Sequence, residues 1–563
     1  MNSLVLVMIA AVVFAFGYRF YSKLLGLGVF RLGKDYSTPT PDRPAESEPG
    51  VFGRHLIFGH HVVSLAAGAV VTGCITSLIW GWVPAFLWAV VGTVVAAGTY
   101  GLGALWLSLR YPGRNPAEIA ARLLTSPAHE LFALVAFLLL LIMNAVCATL
   151  AAQLLSAFPA SVLPFWIITA VALLLGNFLR GREDFEIIPA TLIALALSLM
   201  VVWLLGNYPL SFTGTLNLET AESYFPFDAT LVWVMLLFAY GYYVTRLPMW
   251  KLMRPRGYLT ALLLGLTLLI FYTVVTIDQP RLVAPEFNAG PGIPDTLPWL
   301  FVTLTSGAVA GFHLLVANAV TARQMKRETD ARYIGYGGAL ALGLLALSAI
   351  IIGSTGLPNV QEWNQRYASW ETFMELHAVL ELYVNGFARH AAGLGLDPAF
   401  ARSLMAVVII GLLVSTLEAG LRAQKQLLVG LTERYPAIIP GNEKTLIATA
   451  VGLSALLSLH DGHGRGGLTL WPVYGVADQF LAILGFALLA VALRRLGRPV
   501  SAVLLPLVFL LVTANWGLGA LMTQWWSNNH WILLLLGILL IAVELGVTFL
   551  ALNGLKSPRP PQT

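Results

Sequence analysis

The chain has 563 residues, of which 11% are charged and 58% are hydrophobic, and its net charge is +5. Soluble globular proteins carry about 25% charged residues, so the composition excludes a soluble enzyme, and its high mean hydropathy of +0.78 excludes a disordered scaffold. The weakly alternating ten-residue segments of an outer-membrane barrel are also missing from the sequence. The chain is therefore predicted to cross a membrane many times as α-helices.

Apolar stretches of about 20 residues, the length that spans hydrocarbon as a helix, recur along the chain. About fifteen spans are predicted, at residues 3–22, 56–80, 82–109, 131–158, 162–179, 186–206, 229–247, 258–277, 298–320, 333–353, 403–422, 445–459, 474–493, 501–524 and 530–552. The first span is expected to be retained, because its end carries Tyr18, Arg19 and Tyr21 in place of the small residues of a signal-peptide cleavage site.

The basic residues orient these spans. With the N-terminus outside, all but five of the 33 Lys and Arg residues lie in cytoplasmic segments, as the positive-inside rule requires. The five exceptions are Arg281, Arg366, Arg389, Arg402 and Arg465. The positive net charge is therefore attributed to the basic residues of the cytoplasmic loops, which place the C-terminus inside. No nucleic-acid partner is expected.

Three segments are set apart within a single membrane domain, residues 1–563. Residues 372–396 have a helical period but carry several charges, and a full span there would invert the downstream topology. Residues 372–400 are therefore predicted to be an external amphipathic or re-entrant segment. Residues 23–55 are predicted to be a Pro-rich cytoplasmic loop, too short to build a core, and residues 440–563 to be peripheral helices.

The second span begins with two ionisable residues, His60 and His61. Ionisable side chains inside the bilayer are functional candidates, with a satisfied structural role as the alternative. Gly68 and Gly73 follow and permit close packing or an unwound turn. Adjacent histidines cannot share a helix face, so one can line a transport path and carry protons while the other packs at an interface. Substrate contact and interfacial packing both remain open.

The ninth span has a polar, glycine-rich centre with Thr305, Ser306, Gly311 and His313. It is the best candidate for a broken helix, whose carbonyls and hydroxyls suit a small cation or a proton. Helix packing through small residues is the alternative.

The eleventh span ends with Thr416, Glu418 and Arg422. Glu418 and Arg422 are four residues apart, so they share a helix face and can neutralise each other. A coupling carboxylate and a structural ion pair both remain open. The loop 460–463 has metal-ligand residue types beside flexible glycines, which is a weak metal signal. Walker A, haem-attachment and HExxH motifs are missing from the sequence, so a gradient-driven carrier is favoured over a pump, with a channel or an intramembrane enzyme left open.

Seven motifs together carry a family resemblance: FGYRFYSK (16–23), FGHH (58–61), EIA (118–120), LPMWKLMRPRGY (247–258), SGAVAGFH (306–313), KRETDARYIGYG (326–337) and WPVYGVADQ (471–479). With these motifs the chain resembles the carbon starvation protein family, whose members are linked to peptide and pyruvate uptake. The resemblance implies a LeuT/APC-type core of two inverted five-helix repeats, with extra peripheral helices. In a core that starts at the second span, the second and seventh spans would be the paired discontinuous helices.

The chain departs from the family pattern at prolines and acidic residues. AAGAVVTG (66–73) stands where the family has GxGPxxGP, and TYGLG (99–103) where it has a Gln-Asp pair. Gly257 replaces an Asp, Glu418 replaces an Asp and Asp478 replaces an Asn. These changes indicate a branch with a changed substrate or coupling ion, or a member that has lost transport.

The sequence thus predicts an all-α polytopic protein of the bacterial inner (plasma) membrane with about 15 transmembrane helices. Its expected function is a secondary active transporter that imports a small carboxylate-bearing solute, such as pyruvate or a short peptide, with H+ or Na+. An accessory or sensing protein that binds the solute without transporting it is the alternative. No enzymatic activity, metal or cofactor is expected, the partners are the solute and the lipid bilayer, and the oligomeric state is open. The predicted substrate-binding residues are His60, His61, Gly68, Gly73, Gly311 and His313, and the predicted ion-coupling residues are Thr305, Ser306, Thr416, Glu418 and Arg422.

Overall fold

The computed structural model describes residues 1–33, 36, 53–66, 68–112, 114–180, 184–210, 228–308, 311–370, 376–436 and 441–556. These residues form helices and no strand. In chain order the main helices are α1 (Ser3–Phe16), α2 (Arg54–Leu65), α3 (Ala69–Ser77), α4 (Trp82–Gly92), α5 (Gly98–Arg110), α6 (Pro116–Leu123), α7 (Pro127–Ala157), α8 (Val162–Leu179), α9 (Asp184–Leu205), α10 (Ala229–Arg246), α11 (Met253–Asp278), α12 (Thr296–Ala308), α13 (His313–Val316), α14 (Gly337–Thr355), α15 (Val360–Arg366), α16 (Leu376–Ala392), α17 (Pro398–Arg434), α18 (Glu443–Leu459), α19 (Trp471–Arg495), α20 (Ser501–Ser527) and α21 (Trp531–Lys556).

Within the described residues, eleven helical spans are long and apolar enough to cross a membrane. The two stretches Arg54–Leu65 and Ala69–Trp80, bent by 53° relative to each other, make a twelfth if they are counted as one span. The chain is therefore a multi-pass, all-helical membrane protein, but the expected number of about fifteen spans is not confirmed. Of the three other predicted spans, α18 has 17 residues, the ninth is divided into α12 and α13, and α10 contains tyrosines that lower its hydropathy.

The centre of the bundle is formed by α17 and α19, whose most apolar windows are 100% buried, although α19 belongs to residues 440–563, which were predicted to be peripheral. α17 packs against α7, and α19 packs against α20 and α21. At the periphery, the most apolar windows of the spans that contain α1, α9 and α21 are only 28% buried. Their outward side chains are apolar: Val12, Ile193 and Leu535 are 70%, 61% and 66% exposed. Such an exposed apolar surface suits a hydrocarbon solvent rather than water.

The segment predicted to lie outside the membrane contains α16, which packs against α14 and α17. Two hydrogen bonds fix it to α14: the buried hydroxyls of Tyr383 and Ser348 are 2.8 Å apart, and His390 Nε2 lies 2.9 Å from Thr355 Oγ1. Residues 372–375 of this segment, and most of the predicted cytoplasmic loop 23–55, lie outside the described residues. The position of α16 relative to the membrane stays a prediction.

The prediction that the second and seventh spans are the paired discontinuous helices is wrong for the seventh span. α10, the seventh predicted span, is continuous, and its single glycine, Gly241, stays helical with Leu421 of α17 packed against it. The second interruption lies instead in the ninth span, where α12 ends at Ala308, Gly311 and Phe312 form a turn, and α13 begins. The inverted repeats of the core stay a prediction.

Candidate functional site

The first interruption lies between α2 and α3, at Gly68. Gly68 has a φ of +65°, in the left-handed region that an L-residue with a Cβ adopts only at a cost. A Cβ at this position would also lie 2.6 Å from a methyl group of Leu413 on α17. The glycine therefore permits both the backbone turn and the close approach of α17. The sequence left an unwound turn and close packing open at Gly68, and the structure shows both.

The second interruption is held by side chains from two other helices. The hydroxyl of Tyr100, on α5, donates to the carbonyl of Gly311 at 2.9 Å and also lies 3.3 Å from the carbonyl of Leu481. The carboxylate of Asp478, on α19, accepts the backbone N–H of Phe312 at 3.1 Å. A Cβ on Gly311 would overlap the backbone carbonyl of Asp478. The turn is thus pressed directly onto α19.

The two interrupted helices lie side by side. A Cβ on Gly73 of α3 would overlap the backbone carbonyl of Thr303 on α12, so these two halves pack backbone to backbone. On the other side of the interruptions, the rings of His61 and His313 face each other with centroids 6.2 Å apart. Tyr100 also stacks on His313, with ring centroids 5.9 Å apart. The structure therefore brings four of the predicted substrate-binding residues, Gly68, Gly73, Gly311 and His313, into the same pair of helices as His61.

The facing histidines are fully enclosed, with exposures of 1% for His61 and 0% for His313. His61 Nδ1 lies 2.9 Å from the hydroxyl of Thr321. Among the described residues, the other nitrogen of His61 and both nitrogens of His313 have no hydrogen-bond partner. Each unsatisfied buried polar group costs about 1–3 kcal/mol. Native proteins rarely retain such groups without a purpose, so these three nitrogens are candidates for hydrogen bonds to a ligand.

His60 points to a different neighbour, as expected for adjacent residues of a helix. Its ring packs on the backbone of Gly257 in α11, where a Cβ would overlap His60 Nδ1. His60 is 2% exposed, and neither ring nitrogen has a hydrogen-bond partner among the described residues. Gly257, which stands where the family pattern has an acidic residue, therefore provides the space that the His60 ring occupies.

Glu418 forms its ion pair with a residue that sequence reasoning did not select. Its carboxylate lies 2.9 Å from the guanidinium of Arg256 on α11, and the two side chains are 1% and 2% exposed. The hydroxyl of Tyr240 on α10 donates to Glu418 at 2.5 Å, and Arg256 donates to Ser415 at 2.9 Å. This buried network ties α10 and α11 to α17.

The other predicted coupling residues lie apart from the facing histidines or cannot be placed. Arg422, the expected partner of Glu418, donates to the carbonyl of Leu247 at 2.7 Å. The Thr416 hydroxyl donates to the carbonyl of Leu412, four residues earlier in its own helix. The side chains of Thr305 and Ser306 lie outside the described part of the structure.

Two cavities approach the interrupted helices from opposite ends. A cavity of about 670 Å³ on the predicted outer side reaches Thr76, Val302 and Thr303 and is walled by Trp370, Trp471 and Trp525. A cavity of about 590 Å³ on the predicted cytoplasmic side reaches Arg54, Ile57, Tyr258, Lys326 and Ile334. Along α2, His61 lies one turn beyond Ile57, which lines the cytoplasmic cavity, and the outer cavity ends at Thr76 and Thr303, near the close contact of Gly73 with Thr303.

A metal site finds no support in the described residues, where no group of three or more His, Cys, Asp and Glu side chains could hold an ion. In the loop 460–463, Asp461 instead accepts the backbone N–H groups of His463 and Arg465 at 3.1 and 3.0 Å. The carboxylate therefore organises the loop itself.

Sequence comparison decides the family. The model of the family described as carbon starvation protein CstA matches residues 2–363 and 371–517. The chain belongs to the carbon starvation protein CstA family. The peptide transporter CstA of Escherichia coli is 26% identical over 583 residues, covering 92% of this chain and 81% of that protein. The peptide transporter CstA of Campylobacter jejuni is 25% identical, covering 92% and 80%.

A third relative, the pyruvate/proton symporter BtsT of Escherichia coli, is 24% identical, and the match covers 92% of this chain and 81% of that protein. Among solved structures, a manganese transporter mutant from Eremococcus coleocola aligns over 89% of this chain and 95% of that chain, with 13% identity and a TM-score of 0.39. The relatives identify the chain as a membrane transporter rather than an enzyme.

Sequence reasoning missed four side chains of these sites: Tyr100, Thr321, Arg256 and Tyr240. Tyr100 lies in the TYGLG stretch and Arg256 in PRGY, both noted only as departures from the family pattern. Tyr240 and Thr321 are of residue types that are common in apolar helices, so composition gives no signal that distinguishes them from other tyrosines and threonines. Their roles depend on contacts between helices distant in sequence.

Proposed function

We propose that this protein is a secondary active transporter that imports a small carboxylate-bearing solute, a pyruvate-like acid or a short peptide, in symport with protons. The observation that carries the proposal is the pair His61 and His313, which face each other from two interrupted helices with three ring nitrogens lacking partners among the described residues. Relatives named as a peptide transporter and as a pyruvate/proton symporter support the same solute classes.

The chemistry of the two rings suits a carboxylate. A neutral imidazole has one N–H donor and one acceptor nitrogen, and the tautomer is set by its hydrogen-bond partners. If the Thr321 hydroxyl donates to His61 Nδ1, then Nε2 of His61 carries the proton and becomes a donor toward the space between the helices. His313 supplies a second donor. A solute carboxylate can then accept from both rings and satisfy nitrogens that otherwise stay unpaired.

The two cavities support alternating access. Their volumes, about 670 and 590 Å³, lie within the range of roughly 300–1,000 Å³ that is usual for small-molecule sites. The outer cavity is walled by tryptophans, and the described residues that line it include no Asp, Glu, Lys or Arg. The cavity can therefore admit solutes as different as pyruvate and a short peptide, with the histidines selecting the carboxylate beyond it. Movement of the interrupted helices would expose this site to one cavity at a time.

The test is solute counterflow in proteoliposomes with labelled pyruvate and labelled trialanine. A hydrogen bond to a charged group contributes about 1.5–3 kcal/mol, so His61→Ala and His313→Ala should each reduce the apparent solute affinity about 10- to 150-fold. His129→Ala is the matched control, because His129 is also a buried histidine, 3% exposed, at the start of α7. Unchanged affinity in both His61→Ala and His313→Ala, in protein that elutes as a single species, would place the solute elsewhere.

A further inference from the structure

A buried carboxylate lies directly beside the solute site proposed above. Asp478, on α19, is 6% exposed. Its Oδ1 accepts the backbone N–H of Phe312 at 3.1 Å, and the N–H of Gly311 also bonds to the carboxylate. Both donors belong to the turn that separates α12 from α13. Since His313 follows Phe312 in the chain, one peptide bond connects the backbone that Asp478 holds to the residue proposed to bind the solute.

Asp478 forms no ion pair with any of the described residues. The titratable groups around it are neutral in their ordinary forms: Tyr100 on α5, Tyr474 on its own helix, His313 stacked on Tyr100, and Cys147 on α7 behind Tyr474. A charged carboxylate in this position is therefore compensated by backbone N–H dipoles. An ionisable group buried in a membrane without a counter-ion is costly and marks proton relays in transporters.

The carboxylate also borders a space of its own. A cavity of about 10 Å³, lined by Asp478, Phe312, Leu139 and Leu481, lies against it. A volume of about 10–15 Å³ is enough for one water molecule, which needs polar partners. Asp478 and Tyr474 are the two polar side chains that line this space among the described residues, and with both as partners a water there can deliver a proton to the carboxylate or remove one.

We propose that Asp478 is the carboxylate that carries the coupling proton of this transporter. In the ionised form, its oxygens accept charge-assisted hydrogen bonds from the turn at Gly311 and Phe312. Protonation replaces these with neutral hydrogen bonds of roughly half the strength, which loosens the turn. The proton arrives from water on the outer side and leaves to water on the cytoplasmic side, and no other bond is made or broken.

This assignment couples the two ligands through one short segment of backbone. Proton binding at Asp478 acts on Gly311 and Phe312, and solute binding acts on His313, the next residue. Two ligands that bias the same two-state element change each other's affinity reciprocally. The inference rests on the proposed symport, but it makes a separate demand, namely that the side chain at position 478 can titrate.

The experiment compares wild-type protein with Asp478→Asn, which keeps an acceptor oxygen for the turn and cannot titrate. Glu544→Gln is the control, because Glu544 on α21 is another buried carboxylate, 2% exposed, that contacts Asn515 and Thr548. Each protein is reconstituted and assayed with labelled pyruvate and labelled trialanine in two ways: counterflow without a gradient, and accumulation driven by an inward proton gradient.

Asp478→Asn should keep counterflow and lose gradient-driven accumulation by about 5- to 150-fold, the usual range of a coupling free energy, while Glu544→Gln keeps both. Accumulation by Asp478→Asn at the wild-type level would overturn the assignment and leave the symporter intact. Neither activity in the wild-type protein would instead overturn the proposed function and this assignment with it. If Asp478→Asn does not fold, Asp478→Glu decides: an unchanged pH midpoint of accumulation contradicts the assignment, and a shifted midpoint supports it.

Discussion

The buried ion pair between Glu418 and Arg256 gives the most quantitative prediction. Because the two side chains are 1% and 2% exposed, removal of one partner leaves the other charge buried and uncompensated. Such a change costs about 3–5 kcal/mol, whereas replacement of both partners by apolar residues is often neutral or stabilising. We therefore expect Glu418→Met and Arg256→Met each to destabilise by about 3–5 kcal/mol. The double variant should be no less stable than either single variant.

The coupling free energy is the sum of the two single losses minus the loss in the double variant, so it should be at least about 3–5 kcal/mol. The hydroxyls of Tyr240 and Ser415 lose a charged partner in the double variant, and each unpaired buried hydroxyl costs about 1–3 kcal/mol. These costs keep the double variant below the wild type. The cycle therefore measures the ion pair and not only the packing of the two side chains.

The assay is equilibrium unfolding in mixed micelles by titration with SDS, followed by tryptophan fluorescence. A second cycle, with Glu418→Met and Arg422→Met, is the control because the sequence suggested Arg422 as the partner. It should give a much smaller coupling free energy. Additive losses in the cycle with Arg256, or equal coupling in both cycles, would refute the proposed ion-pair network between α11 and α17.

Two further predictions concern packing and charge. Gly73→Ala should destabilise the protein by about 1–3 kcal/mol, because the new methyl group meets a backbone carbonyl of α12. Gly265→Ala is the control: its methyl group meets no atom within 4 Å, so the variant should gain up to about 1 kcal/mol of stability. Melting temperatures check both variants, and equal stability of Gly73→Ala and wild type would contradict the close packing. Lys425 on α17 lowers the pKa of Glu443 below its ordinary value. At a pH above the unfolded pKa of Glu443, this ion pair should therefore stabilise the folded protein by at most about 1 kcal/mol. The contribution should be lost as the pH falls through the folded pKa. The stability difference between Glu443→Gln and wild type should therefore vanish in acid, and a difference that grows as the pH falls would contradict it.

The helices could be predicted from sequence because each apolar stretch is long enough to determine its own structure. The interruptions were also within reach: a glycine at Gly68 or Gly311 inside an apolar stretch offers a turn that other residues resist. The interruption expected in the seventh span came from the repeat pattern that the family resemblance implies, and the glycine in that span, Gly241, stays helical. A glycine therefore permits a turn, and tertiary packing decides whether the turn forms.

The partners of the site residues could not be predicted in the same way. Glu418 and Arg422 satisfy the spacing rule for one helix face, yet the ion pair forms with Arg256 on another helix. Local spacing describes what a helix can bring together, but not what a neighbouring helix supplies. The importance of Asp478 likewise depends on the turn at Phe312, which lies 166 residues away in the chain.

The central claim is proton-driven import, and uptake by the purified wild-type protein in proteoliposomes tests it most directly. Labelled pyruvate and labelled trialanine are offered with an inward proton gradient and, separately, with an inward sodium gradient. We predict saturable accumulation of at least one solute above equilibrium with the proton gradient, abolished by a protonophore. Specific binding without accumulation, or accumulation that requires sodium and ignores the proton gradient, would contradict the account.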